Sequence, residues 1–149
     1  MIQVILGKKG SGKTKRLIDL ANDALKSEHG VIVFVDDDQR YMYDLRHEIR
    51  FVNAGEFALG EHRSADWFYG LLGGMLAVNF DISLIFVDAF ARLINNTDWN
   101  QLSDLFDRLE KEKGFAPGPG LVVTPYINNM PQLLAAADLV IARSGALTL

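Results

Sequence analysis

Gly7-Lys8-Lys9-Gly10-Ser11-Gly12-Lys13-Thr14 directly follows the apolar run Ile2-Gln3-Val4-Ile5-Leu6. This stretch fits the Walker A pattern G-x-x-x-x-G-K-[ST] at every fixed position, with a predicted strand before it and a predicted helix after it. Its glycines allow successive backbone N–H groups to converge on one phosphate, and the N-terminus of the following helix adds partial positive charge. The stretch therefore predicts a phosphate-binding loop between the first strand and the first helix.

The chemistry of this loop assigns a role to its last residues. Lys13 is expected to reach the β- and γ-phosphates of a nucleoside triphosphate and to act in catalysis, and the Thr14 hydroxyl is expected to ligate Mg²⁺, which prefers oxygen donors. ATP and Mg²⁺ are the predicted cofactors. The predicted nucleotide-binding residues are Gly7, Lys8, Lys9, Gly10, Ser11, Gly12, Lys13, Thr14 and Lys15. The alternative is a glycine-rich turn that holds no ligand.

Bulk composition limits the class of protein. The 149 residues are 49% hydrophobic, which is enough for one core, and we expect a single domain over residues 1–149. The net charge of −4 does not indicate nucleic-acid binding, and the absence of cysteine excludes disulfides and thiolate catalysis. No apolar run approaches the roughly 18 residues that a membrane span needs. A soluble, cytoplasmic protein is the expectation.

Strand and helix patterns alternate along the chain, which is typical of βαβ units. The runs Val31–Val35 and Ile82–Val87 are continuous and apolar, as in strands that are buried on both faces. Further strands are predicted at 121–124 and 138–142, and helices at 17–25, 41–48, 64–76, 102–109 and 132–136, the first of them directly after the glycine-rich loop. A short strand is predicted at 49–52. The predicted fold class is α/β, with a mainly parallel five-stranded sheet and helices on both faces.

A second candidate metal ligand ends the run Leu84-Ile85-Phe86-Val87-Asp88. Four apolar residues followed by an aspartate are typical of a Walker B strand, whose carboxylate holds Mg²⁺. Asp88 is therefore predicted to share the metal with Thr14. The next residue is Ala89, so the glutamate that often follows this aspartate and polarises the attacking water is missing.

Two segments resemble the RecA-like ATPases, and a third, residues 136–143, is similar to a strand near the end of DnaB-like and RecA-like domains. Phe34-Val35-Asp36-Asp37-Asp38 is similar to the second strand of that family, and residues 84–93 are similar to its Walker B segment. The resemblance implies a three-layer P-loop NTPase fold and puts Asp38 in the place of a catalytic glutamate that positions water. It also implies that Thr124 senses the γ-phosphate, and that Arg143, which follows the strand at 138–142, reaches the phosphate of a neighbouring subunit. The alternative for Arg143 is a solvated surface residue.

Three functions remain open on these observations. The first is a Mg²⁺-dependent RecA-like ATP hydrolase. The second is a small nucleoside or nucleotide kinase, in which Asp36, Asp37 or Asp38 is the acceptor base. The third is a nucleotide-dependent switch that does not hydrolyse ATP, which the missing glutamate after Asp88 favours. The minimal size of the chain suggests that its biological function depends on a homo-oligomer or on a protein partner.

Overall fold

The computed structural model describes residues 2–5, 13–57, 63–94, 99–112 and 138–142. Nine regular elements lie within those ranges: β1 (Ile2–Ile5), α1 (Lys13–Ala24), β2 (Val31–Asp36), β3 (Arg50–Asn53), α2 (Ala65–Val78), β4 (Ile82–Val87), α3 (Phe90–Ile94), α4 (Trp99–Glu112) and β5 (Asp138–Ala142). Single 3₁₀ turns occur at Met42–Asp44 and Ala54–Phe57. In the described parts of the chain, no helix has the length and apolar character required to cross a membrane.

The strands form one five-stranded mixed sheet in the order β1-β5-β4-β2-β3. Strands β2, β3 and β4 pair in parallel, whereas β5 is antiparallel to both of its neighbours, β1 and β4. The α/β class and the strand at 138–142 are confirmed, but the mainly parallel sheet is not, because two of the four strand pairings among the described residues are antiparallel. An apolar run buried on both faces reads the same in either direction, so its sequence does not specify the orientation.

Helices cover both faces of the sheet. On one face, α1 packs Leu17 and Ala21 against Ile32, Phe34 and other side chains of the central strands. On the opposite face, α2, α3 and α4 pack against the alternate residues of the same strands, including Val33, Val35, Ile85 and Val87. The period of two in β2 and β4 therefore divides their side chains between two cores. This three-layer arrangement fixes the ends of the strands, where the polar residues lie.

Local signals account for two of the elements. Ser64 caps α2 by accepting a hydrogen bond from the backbone N–H of Trp67 at 3.1 Å, as its position before the apolar helix predicts. The four apolar residues of α4 at helical spacing are buried: Leu102, Leu105, Phe106 and Leu109. The helix predicted at 41–48 is wrong, because the structure has only the turn Met42–Asp44 there. The strand at 121–124 and the helix at 132–136 fall outside the described residues.

Candidate functional site

Two buried carboxylates lie side by side where β2 and β4 end. Val35 is paired with Val87, and the backbone N–H of Asp88 donates to the Val35 carbonyl at 2.9 Å. This register places Asp36 next to Asp88, and the two residues are only 1% and 4% exposed. Two like charges at such a position repel each other and have lost most of their hydration. The carboxyl edge of the sheet is therefore the most unusual electrostatic environment among the described residues.

The first turn of α1 covers Asp88. The Thr14 hydroxyl donates a hydrogen bond to Asp88 Oδ1 at 3.2 Å and lies 3.5 Å from Oδ2. The contact joins residues 74 positions apart in the chain, from the start of α1 and the end of β4. The sequence predicted that these two side chains meet at one metal ion. The structure brings them together, and the Mg²⁺ role itself stays a prediction.

Asp36 has one satisfied oxygen and one unsatisfied oxygen. Its Oδ1 accepts the backbone N–H of Asp37 at 2.7 Å, whereas Oδ2 is buried and has no hydrogen-bond partner in the described chain. Burial raises the pKa of Asp36 from 3.8 to about 8, and repulsion by Asp88 adds to the shift. Ionising a buried carboxyl group that has one unsatisfied oxygen is costly. Asp36 is therefore mainly protonated at neutral pH.

Arg92 of α3 forms a two-pronged ion pair with Asp37. Its Nε lies 2.8 Å from Asp37 Oδ2, and its Nη2 donates to Oδ1 at 2.9 Å. Partial burial opposes the charge of Arg92, but the bonds to Asp37 and the nearby Asp36 and Asp88 raise its pKa above the usual value. This planar geometry gives a directional, charge-assisted contact. It fixes the end of β2 to the start of α3 and leaves a cation beside the acidic residues.

The backbone around this pair is tightly constrained. Ala89, between β4 and α3, has a left-handed conformation with φ of 52°. A Cβ at Gly55 would collide with the backbone carbonyl of Asp37, so only glycine fits beneath the acidic segment. Close backbone approach on one side and a left-handed turn on the other thus position Asp37 and Arg92.

Asp38 faces solvent on the outer side of the cluster. Its Oδ1 accepts the backbone N–H of Arg40 at 2.8 Å, and its Oδ2 lies 3.5 Å from the Arg40 guanidinium. Carboxylate oxygens of Asp36, Asp37 and Asp38 lie within 4.8 Å of one another, a spacing at which three oxygens can surround a cation. The catalytic role predicted for Asp38 stays a prediction.

The structure describes only some of the predicted site residues. Thr14, Lys15, Asp38 and Asp88 are described, and Lys13 is the first residue of α1. Gly7, Lys8, Lys9, Gly10, Ser11, Gly12, Thr124 and Arg143 lie outside the described residues. Sequence reasoning gave no role to Arg92, and its partner Asp37 is 55 positions away, so no local pattern could have identified the pair.

Comparison with known proteins finds similarity to a different family from the one predicted. The model of the glycosyltransferase family 28 C-terminal domain matches residues 91–149, which is less than half of the chain. The Halalkalibacterium halodurans UDP-N-acetylglucosamine--N-acetylmuramyl-(pentapeptide) pyrophosphoryl-undecaprenol N-acetylglucosamine transferase is 40% identical over 45 residues, 30% of this chain and 12% of that protein. The Burkholderia orbicola protein of the same name is 57% identical over 35 residues, 24% of this chain and 10% of that protein.

The chain spans about a tenth of the length of these curated relatives. No solved structure gives a significant match. The matched residues 91–149 include most of α3, all of α4 and all of β5. Their described side chains contribute to the buried core, and Arg92 contributes to the acidic edge. The chain is therefore similar to a class of nucleotide-sugar transferases over residues 91–149. Strand β5 of this segment lies inside the sheet, between β1 and β4.

These matches overturn the predicted P-loop NTPase family. The RecA-like or DnaB-like identification is wrong, and so are the functions drawn from it: ATP binding and hydrolysis, with the kinase and switch alternatives also unsupported. The Walker A pattern lies in residues 7–14, outside the matched segment. Its few fixed positions describe a glycine-rich turn between a strand and a helix, which other nucleotide-binding α/β folds also use for phosphates. The pattern therefore constrains a local conformation more than a family.

Proposed function

We propose that this chain forms part of a glycosyltransferase that uses a nucleoside-diphosphate sugar. The observation that carries the proposal is the match of residues 91–149 to the glycosyltransferase family 28 C-terminal domain. The matched segment is packed into the fold of this chain, because its residues Leu105, Leu139 and Ile141 are buried. The segment is thus a component of the α/β core and supplies Arg92 to the acidic edge.

The relatives' names identify a UDP-N-acetylglucosamine donor and a pyrophosphoryl-undecaprenol acceptor. In such a transfer, an acceptor hydroxyl oxygen bonds to the anomeric carbon of the sugar. The bond from that carbon to the phosphate oxygen breaks, its electron pair leaves with the nucleoside diphosphate, and the hydroxyl proton passes to a base. We propose a donor of this class for the present chain.

The carboxyl edge of β2 and β4 is the proposed position of the donor. Ligands of open α/β sheets bind outside the carboxyl ends of the strands, and here that edge carries Asp36, Asp37, Asp88 and Arg92. The Arg92 guanidinium is suited to phosphate oxygens, since it presents several donors in one plane. The partly exposed carboxylates of Asp37 and Asp38 are suited to the hydroxyl groups of ribose or sugar. The site thus contains both kinds of group that a nucleotide sugar requires.

Calorimetric titration with UDP-N-acetylglucosamine tests this proposal, with UDP and ATP as comparison ligands and with Mg²⁺ or EDTA present. Binding is the measured quantity, because the chain spans so little of the relatives that turnover is not required of it. We expect saturable binding of UDP-N-acetylglucosamine. Arg92→Gln should weaken it about tenfold, the usual loss for one charge-assisted contact.

Arg108→Gln is the control, since Arg108 forms an ion pair with Asp66 of α2 and is not one of the residues assigned to the acidic edge. It should bind the donor as tightly as the wild type. Thermal melting must first establish that both variants are folded. A folded wild-type chain that binds ATP and neither uridine nucleotide would contradict the proposal.

A further inference from the structure

An apolar groove lies between α2 and the edge of the sheet. It is open to solvent and has a volume of about 650 Å³, within the range of ligand pockets. The groove begins at the amino ends of the strands, at Val31 of β2, Arg50 of β3 and Ile82 of β4. The proposed donor site is at the carboxyl ends of the same strands. The groove is therefore separate from the acidic edge, and it lies outside the matched residues 91–149, although the acceptor in the relatives' names is also an anionic group on a hydrocarbon chain.

Two glycines of α2 leave the wall of the groove open. Gly70 and Gly74 are one helical turn apart and both line the groove, and a Cβ at either position would meet nothing within 4 Å. Glycine inside a helix lowers helix stability. No close packing in the described chain requires glycine at these two positions. The space beside them is available to a ligand.

Two apolar side chains that line the groove are exposed to solvent. Val78 is 87% exposed and Phe57 is 63% exposed, and both line the groove. Large apolar side chains that surround a cavity are typical of an interaction site when they occur together and not singly. The position of these side chains favours an elongated apolar occupant.

The polar groups of the lining are few. Arg50 is the one charged residue among the described lining residues, and no carboxylate in the described chain forms an ion pair with it. Asn79 is the other polar side chain, and its Oδ1 already accepts the backbone N–H of Asp81 at 2.9 Å. A peptide in the groove would bury N–H and C=O groups that the lining cannot satisfy. A hydrocarbon chain carries no such groups.

We propose that this groove binds the hydrocarbon chain of a single-chain anionic amphiphile, with the anionic head on Arg50. The occupant matches two properties of the described lining: an extended apolar wall, and Arg50, which has no ion-pair partner among the described residues. A head with phosphate or carboxylate oxygens matches the guanidinium, and the tail lies along Gly70 and Gly74 of α2. The amphiphile is taken up from solution as a monomer.

Titration calorimetry with dodecyl phosphate, below the concentration at which it forms micelles, tests the proposal on the full chain. Dodecyltrimethylammonium and dodecyl maltoside have the same tail with a cationic and a neutral head. We expect dodecyl phosphate to bind at least tenfold more tightly than either, and Arg50→Gln to remove that preference. Equal affinity for the three heads would overturn the proposal.

Gly74→Leu tests the position of the tail. Its side chain enters the open space of the groove, and leucine favours a helix more than glycine does. We expect an unchanged or higher melting temperature together with at least a tenfold loss of dodecyl phosphate binding. Ala77→Leu, on the same helix but outside the lining, is the control and should bind normally.

Three results would overturn the proposal. The first is Gly74→Leu binding dodecyl phosphate as tightly as the wild type. The second is binding to anionic lipid vesicles without binding to monomeric dodecyl phosphate, which would make the groove a membrane contact. The third is a wild-type dimer in sedimentation that Gly74→Leu dissociates, which would make a second copy the occupant. None of these results depends on whether UDP-N-acetylglucosamine binds.

Discussion

Asp36→Asn is expected to raise the free energy of unfolding by several kcal/mol at pH 9 and to change it little at pH 4. The pKa of Asp36 is raised from 3.8 to about 8 in the folded protein, by burial first and by repulsion from Asp88 second. Each unit of such a difference corresponds to about 1.4 kcal/mol. At pH 9 the wild type must hold an ionised carboxylate in a buried position, and asparagine removes that cost.

The direction of this pH dependence follows from the number of protons that the folded and the unfolded states bind. Between about pH 4 and pH 8, the folded wild type keeps the proton of Asp36 and the unfolded chain has released it. Because the folded state binds more protons, the stability of the wild type falls as the pH rises through this window and levels off above it. Asparagine can accept the Asp37 N–H as Oδ1 of Asp36 does, so the neutral forms are comparable.

Urea unfolding at several pH values between 4 and 9, with EDTA present to remove metal ions, measures this effect. Asp38→Asn is the matched control, because Asp38 is a neighbouring aspartate whose side chain is 40% exposed. The pH dependence of its stability should stay close to that of the wild type, because Asp38 makes the smallest contribution to the raised pKa of Asp36. Parallel curves for Asp36→Asn and the wild type would contradict the assignment of a buried, high-pKa carboxylate.

The parts of the fold that depend on local patterns could be predicted from the sequence. The apolar runs that became β2 and β4 identify strands that are buried on both faces, and the Ser64 cap identifies the start of α2. That Asp36 and Asp88 each follow a buried strand is evident from the same runs, although the pairing of these two strands is not. These features need only nearby residues to specify them.

The parts that depend on pairing between distant residues could not be predicted. The direction of β5 is fixed by its hydrogen bonds to β1 and β4, not by its own apolar residues. The ion pair between Arg92 and Asp37 arises from the geometry of α3 and the end of β2. The raised pKa of Asp36 depends on its burial in the folded chain and on Asp88, which is distant in the sequence. None of these features can be identified from ten neighbouring residues of the sequence.

The Walker A pattern indicates the wrong function for a related reason. The Walker A pattern has four fixed positions and describes the backbone of one turn. The Burkholderia orbicola protein is 57% identical over 35 residues, a far larger number of matched positions. A short motif can recur wherever a strand, a glycine-rich turn and a helix follow one another. Identity sustained over dozens of residues constrains packing as well as chemistry, and that is the stronger indication here.

Ile141→Ala is expected to lower the free energy of unfolding by roughly 2–5 kcal/mol, the usual cost of such a truncation in a core. Ile141 is fully buried, and it is paired with Ile2 of β1 on one side and Ile85 of β4 on the other. It also lies in the core that α2, α3 and α4 form on their face of the sheet. The substitution therefore leaves a cavity at the centre of the sheet.

This variant also tests whether the matched segment and the preceding residues share one domain. Ile141→Val, which removes a single methyl group, should cost roughly 0.5–1.5 kcal/mol and provides a graded control. In one cooperative unit, tryptophan fluorescence and far-ultraviolet circular dichroism should report the same urea midpoint for each variant. Loss of stability in one signal alone would mean that β5 belongs to a unit that unfolds separately. The donor proposal would then apply to that unit without the acidic edge of β2 and β4.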